Sequence, residues 1–113
     1  MKRRLLGPTD LVVSPIGLGT VQLGMSYGYH NAPPPSDSDV VRLIHHALDS
    51  GINYLDTAAA YGRSEELVGK ACAGRSNRPI IATKLSIANP DTQTQLRGPA
   101  LRRAIEASLH RSL

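Results

Sequence analysis

Short apolar runs alternate along this chain with longer stretches whose apolar positions recur every three or four residues. Over residues 4–13, Leu5 and Leu6 and then Leu11, Val12 and Val13 flank Gly7-Pro8-Thr9-Asp10, a turn-forming sequence, and predict a β-hairpin. Residues 15–20 predict a short glycine-rich strand, and a long loop follows over 21–37, closing on Pro33-Pro34-Pro35. Val40, Leu43, Ile44, Ala47 and Leu48 fall at helical spacing. They predict a helix from near Asp39, capped by Ser36 or Ser38 and ended by Gly51. Residues 52–55 predict a second strand. Ser64 is placed to cap the next helix, whose positive end suits Glu65 and Glu66. Leu67, Val68, Ala71 and Cys72 form its buried stripe, and Gly74 stops it. Residues 79–83 predict a third strand. After a loop, Pro99 opens a third helix with Leu101, Ala104, Ile105 and Leu109 on one face.

The predicted order is a hairpin followed by three strand–helix units. Strands that alternate with helices imply an α/β fold with a parallel sheet and helices on its face. Connections from helix back to strand are short, whereas those from strand to helix, residues 21–37 and 85–98, are long. In parallel α/β folds, ligands gather at the carboxyl ends of the strands. The asymmetry marks that end as the working face.

Three residues that bear chemistry fall there. Thr20, Asp56 and Lys84 each close a predicted strand, and Tyr61 lies in the loop after Asp56. A buried carboxylate or ammonium is costly alone, and pairing the two offsets part of the desolvation. An ammonium beside a phenol favours the phenolate, lowering the phenol's pKa from about 10 and making a tyrosine usable as a general acid. Taken singly, Asp56 also reads as a turn residue, Tyr61 as a packed loop tyrosine and Lys84 as a solvated strand end. Their joint placement points to proton donation to a carbonyl oxygen.

Composition narrows the classes. Hydrophobic residues make up 41% of the chain, enough for a core. The net charge of +4 suits anionic small molecules, but the basic residues are scattered and no stacking aromatics lie among them, which argues against nucleic acid. The single cysteine, Cys72, excludes an internal disulfide and a cysteine-based zinc site. His45 and His46 are neighbours on a helix, pointing about 100° apart, and make a poor chelate, so no metal is expected. The basic start lacks the apolar stretch of a signal peptide, and no run nears the ~20 residues of a membrane span. The expectation is a cytoplasmic protein without a membrane partner.

The segments "LGPTDLVVSPIGLGTVQLG", "GINYLDTAAAYGRSEELVG" and "IIATK" resemble the N-terminal part of the aldo-keto reductase family, from Leu5 to Lys84, and the following helix fits in placement. The resemblance implies an N-terminal hairpin followed by the first three βα units of a (β/α)8 TIM barrel, incomplete here. Residues 1–113 are then one partial barrel domain, with the hairpin at 4–13 and the βα units at 15–113. It implies an oxidoreductase that reduces aldehyde and ketone carbonyls reversibly, preferring NADPH, with a small-molecule carbonyl or alcohol as substrate and no metal. Asp56, Tyr61 and Lys84 fall on three of the family's catalytic residues. Thr20, Val21 and Asp56 fall near the nicotinamide. In the first long loop, Tyr27 and Tyr29 are candidates for a substrate wall, and His30 sits beside them.

The chain also departs from the family. The fourth catalytic residue, a histidine, ends a fourth strand, which lies beyond "AIEASLHRSL"; His110 is on the preceding helix and is not that residue. Gly17-Leu18-Gly19 lacks the spacing of a dinucleotide fingerprint and reads instead as a place where neighbours approach closely. With 113 residues, against about 250 for a βα barrel, three strands cannot close. The expectation is a reductase fragment inactive alone; the alternative is a non-catalytic fragment or interaction subunit of the same fold.

Overall fold

The computed structural model describes residues 1–88 and 95–112, the last by its backbone; part of the long loop at 85–98 lies outside them. Strands β1 (Arg4–Leu5) and β2 (Val12–Val13) pair antiparallel as the predicted hairpin. The turn is closed by Leu6 N donating to Leu11 O at 2.9 Å and by the Thr9 hydroxyl donating to Leu6 O at 2.6 Å. Asn53 fastens the hairpin to the rest of the fold. Its side-chain oxygen accepts from Ser14 N at 2.6 Å, its amide nitrogen donates to Val12 O at 2.8 Å, and its backbone N donates to the Ser14 hydroxyl at 3.1 Å.

Strands β3 (Leu18–Gly19), β4 (Tyr54–Asp56) and β5 (Ile80–Ala82) form a parallel sheet in that order. Alternation along β4 sends Leu55, fully buried, to one face and Tyr54 and Asp56 to the other. A Cβ on Gly17 would stand 2.8 Å from the Tyr54 ring, so glycine here makes room for the aromatic on the neighbouring strand. The ladder runs on past the strands. Thr20 N donates to Asp56 O at 3.0 Å, Thr57 N to Ala82 O at 2.8 Å and Ala59 N to Lys84 O at 2.9 Å. The strand tips are thereby held in register, although the strands are short.

The helices are α1 (Val21–Gly24), α2 (Asp37–Asp49), α3 (Ser64–Cys72) and α4 (Gly98–Ser112). The core lies between Leu55 and the apolar faces of α2 and α3, built from Val40, Ile44, Leu48, Leu67, Val68, Ala71 and Cys72, with Leu23 at its edge. Cys72 packs in this core as expected, and burial raises its thiol pKa. The fold is α/β, with a hairpin and three βα units.

Several boundaries differ from the pattern. The loop at 21–37 contains α1 and an antiparallel bridge between Tyr27 and Ala32. Helix α2 begins at Asp37, because the Ser36 hydroxyl accepts from Asp39 N. Strand β4 is shifted to include Asp56 itself. Ser64 does not cap α3: Arg63 holds the N-cap position, and Ser64 is the first helical residue, fully buried. On α4, Ile105 and Leu109 are exposed, while Ser108 is buried between them in sequence. The side of α4 that meets α3 is therefore one position away from the most apolar stripe.

Candidate active site

Asp56 ends β4, Lys84 follows β5 by two residues, and Thr20 follows β3 by one. Parallel pairing sets these three ends side by side, as the sequence predicted. Lys84 Nζ donates to Asp56 Oδ1 at 2.5 Å and to Thr57 O at 3.1 Å. The same ammonium stands 5.2 Å from the centroid of the Tyr61 ring. Asp56, Tyr61 and Lys84 thus converge on one patch.

Electrostatics follow from this contact. The hydrogen bond to Asp56 holds the Lys84 amine above the ordinary lysine range; desolvation opposes it, and the Asp56 charge and Tyr61 add to the rise. The pair is not buried, contrary to the expectation from the apolar run. The Lys84 and Asp56 side chains are 55% and 42% exposed. Strand alternation turns them away from the helices, toward the face that carries Tyr54 and the hairpin. A cleft of about 430 Å³ on this face is lined by Arg4, Ser14, Gly17, Gly19, Tyr54 and Asp56.

Tyr61 is positioned by a backbone crossing. Arg63 N donates to Gly24 O at 3.1 Å, and Ser64 N donates to Tyr61 O at 3.0 Å. A Cβ on Gly24 would overlap Ser64 N and Tyr61 O. Gly62 has φ +57°, and a Cβ there would overlap the Gly24 carbonyl. Two glycines therefore let α1 and the Tyr61 loop lie in contact. Tyr61-Gly62 was visible in the sequence, but its partner Gly24 was not.

Behind the patch runs a line of buried hydroxyls. The Ser64 hydroxyl reaches Thr20 O at 2.9 Å and Thr20 Oγ1 at 2.6 Å, and lies 3.1 Å from the Thr57 hydroxyl. Thr20 Oγ1 in turn donates to Asp56 O at 3.0 Å. Thr20 is fully buried, so its hydroxyl braces the Asp56 backbone. Val21 opens α1 and is half-buried. Tyr27 and Tyr29 are exposed in the bridged loop, and Tyr29 meets His30 edge-on with ring centroids 5.0 Å apart. His45 Nε2 lies 2.8 Å from Ala71 O, tying α2 to α3, while His46 and His110 are exposed.

Glu65 is the principal residue that pattern reading missed. It is 2% exposed, and its carboxylate accepts from the Thr83 hydroxyl at 2.6 Å, from the Ser108 hydroxyl and from Arg111 Nε at 2.7 Å. Its spacing held the signal: Glu65, Val68 and Cys72 fall on one helical face, the buried one.

The sequence profile of the Aldo/keto reductase family matches residues 15–113. The chain is 40% identical over 86 residues to pyridoxal 4-dehydrogenase of Microbacterium luteolum, covering 74% of this chain and 24% of that protein. It is 38% identical over 119 residues to 6-dehydroglucose reductase of Novosphingobium aromaticivorans, covering 96% and 36%. A solved structure of a putative aldo-keto reductase from Pseudomonas aeruginosa superposes with a TM-score of 0.77 at 38% identity, over 97% of this chain and 42% of that one. The chain spans between about a quarter and two fifths of the length of these relatives. Profile, sequence identity and fold agree, and the chain belongs to the aldo/keto reductase family.

Proposed function

We propose that residues 1–113 supply the proton-donating side of a carbonyl-reducing active site. Tyr61 is the acid, Lys84 the cation that supports it and Asp56 the partner that holds the lysine. The observation that carries this reading is the Lys84 ammonium, bonded to Asp56 at 2.5 Å and standing 5.2 Å from the Tyr61 ring centroid. The substrate is a small aldehyde or ketone, or the corresponding alcohol in reverse, in keeping with the names of the two curated relatives.

The cofactor of this reading is NADPH, and the described residues fit its nicotinamide end. Val21 and Asp56 stand at adjacent strand tips, with Thr20 braced behind them. Among the described residues the phosphates find no comparable cradle: the N-terminus of α3 is closed by the buried Ser64, whose hydroxyl is spent on Thr20. When bound, the nicotinamide supplies the hydride. The Tyr61 hydroxyl gives its proton to the carbonyl oxygen, and the Lys84 ammonium stabilises the phenolate that remains. Asp56 keeps that ammonium in place through the cycle. In alcohol oxidation, the same phenolate takes the proton back.

The test is a segment swap. Residues 1–113 replace the matching segment of the Pseudomonas aeruginosa relative, and reduction of simple aldehydes is followed by NADPH consumption. Activity that falls on Tyr61→Phe supports the enzyme reading. A folded swap with no turnover favours the rival, a non-catalytic member of the same fold.

A further inference from the structure

Strand alternation carried past β5 turns consecutive residues to opposite sides of the sheet. Lys84 points to Asp56 on the open face, and Thr83 points to α3, where its hydroxyl donates to Glu65 Oε1 at 2.6 Å. The segment is thus gripped from both sides. On the open face the grip is the proposed working pair. On the helix face it is a carboxylate that is 2% exposed.

Such a carboxylate is an expensive anchor unless it is fully bonded. Here Ser108 and Arg111 of α4 complete it: the Ser108 hydroxyl donates to Oε1, and Arg111 Nε to Oε2 at 2.7 Å. These two donors tie α3 to α4 and leave acceptor sites on the carboxylate for a third. Thr83 is a donor from a different element, the residue next to Lys84. Its bond fixes the direction in which the chain leaves β5. The Ala59 N to Lys84 O bond fixes the height of Lys84 but leaves rotation about the segment to the side chains.

We propose that Glu65 is a positioning residue for Lys84, acting through the Thr83 hydroxyl to aim the ammonium at Asp56 and Tyr61. This rests on the reading of Lys84 and Asp56 as the working pair, and one variant below reports on that pair alone. A positioning role differs from plain helix packing in one respect. Breaking the Thr83 link must change the chemistry of Lys84 while the helices stay docked.

The readout is the acetylation rate of Lys84 relative to Lys2 in the 113-residue chain. Acetic anhydride is limiting, mass spectrometry scores the sites and circular dichroism monitors the fold. An amine held protonated by Asp56 reacts slowly, because only the free base is nucleophilic. Wild-type Lys84 is expected to lag behind Lys2; equal rates overturn the proposal. Thr83→Val keeps the side-chain shape and removes only the hydroxyl. It is expected to raise the relative rate of Lys84 by about threefold or more, a fraction of the tenfold that a full pKa unit would give. Glu65→Gln should do the same, and Thr83→Val carries the test if that variant fails to fold. Arg111→Met leaves the Thr83 link and should leave Lys84 unchanged. If Arg111→Met matches Thr83→Val, Glu65 is only the tie between helices and the proposal falls. Asp56→Asn should speed Lys84 by itself. A rise there with none for Thr83→Val sinks the positioning role and keeps the pair. The reverse sinks the pair reading and keeps the Thr83 link.

Discussion

The Ser64 hydroxyl lies 2.6 Å from the hydroxyl of Thr20, a residue 44 positions earlier, and both side chains are fully buried. Each hydroxyl has one proton. Thr20 gives its own to the Asp56 carbonyl, so it accepts from Ser64, and Ser64 in turn accepts from Thr57. The line runs from the loop after β4, through the first turn of α3, to the backbone of the proposed catalytic carboxylate.

Ser64→Ala breaks that line in the middle. It leaves Thr57 with no acceptor at this point, in a site without water access. Leaving a buried polar group unsatisfied costs about 1–3 kcal/mol. The segment-swapped reductase should unfold at correspondingly lower denaturant. An unchanged midpoint would show that the hydroxyls find other partners.

Gly24→Ala should cost activity as well as stability. The added methyl would overlap Ser64 N and Tyr61 O, which are backbone atoms with little room to give. Overpacking of this kind costs typically about 1–3 kcal/mol, and relief requires the Tyr61 loop to move away from α1. The turnover number of the segment-swapped enzyme should fall while cofactor affinity holds. If the turnover number and melting midpoint both match wild type, the Gly24–Tyr61 contact is not what places the loop.

The meeting of the strand ends was legible in the sequence because it rests on topology. Alternating periodicities forced a parallel sheet, and parallel strands bring Asp56, Lys84 and Thr20 together whatever their exact ends. The fine boundaries were not legible, since the competing forces are local. Ser36 and Ser38 are both sound caps, and only the hydrogen bond from Asp39 N to the Ser36 hydroxyl decides between them. Glu65 beside Glu66 looks like ordinary charge at a helix start. Only the approach of α4, with Ser108 and Arg111, turns one of the two into a buried anchor. Glu66 stays on the surface with Arg63 and Lys70, and their hydrogen bonds lower its pKa to about 2.

Glu65 gives a pH dependence with a definite sign. Burial works to raise its pKa, but the hydrogen bonds from Ser108, Thr83 and Arg111, with the Arg111 charge, outweigh it and hold the carboxyl below the ordinary 4.5. A carboxylate with a depressed folded-state pKa stabilises the fold above its unfolded-state value, and that contribution is lost as pH falls through the folded value. Docking of α3 on α4 should therefore weaken in acid, starting below about pH 4.5. Amide exchange in α4, followed from neutral pH downward and corrected for intrinsic rates, reads this directly. Glu65→Gln should be weaker at neutral pH and flatter in acid. Parallel profiles for the two proteins would remove Glu65 as the cause.

The variants of the converging trio separate the three proposed roles. Tyr61→Phe keeps the ring under the Lys84 ammonium and removes the only proton donor in the reading. General acid catalysis contributes typically about 10²–10⁴-fold, so turnover in the segment-swapped enzyme should fall by that factor while cofactor affinity changes little. Lys84→Met leaves the phenol but removes the charge that stabilises its anion, and should also lose most of the activity. Asp56→Asn should be milder, because Lys84 retains its bond to Thr57 O at 3.1 Å and stays near the ring. Stopped-flow single turnovers with NADPH in excess isolate the chemical step from product release. If Tyr61→Phe keeps more than about a tenth of that rate, the proton comes from elsewhere. The contact between Lys84 and Tyr61 would then be packing, and Asp56 at the strand tip would hold a lysine with no chemical task.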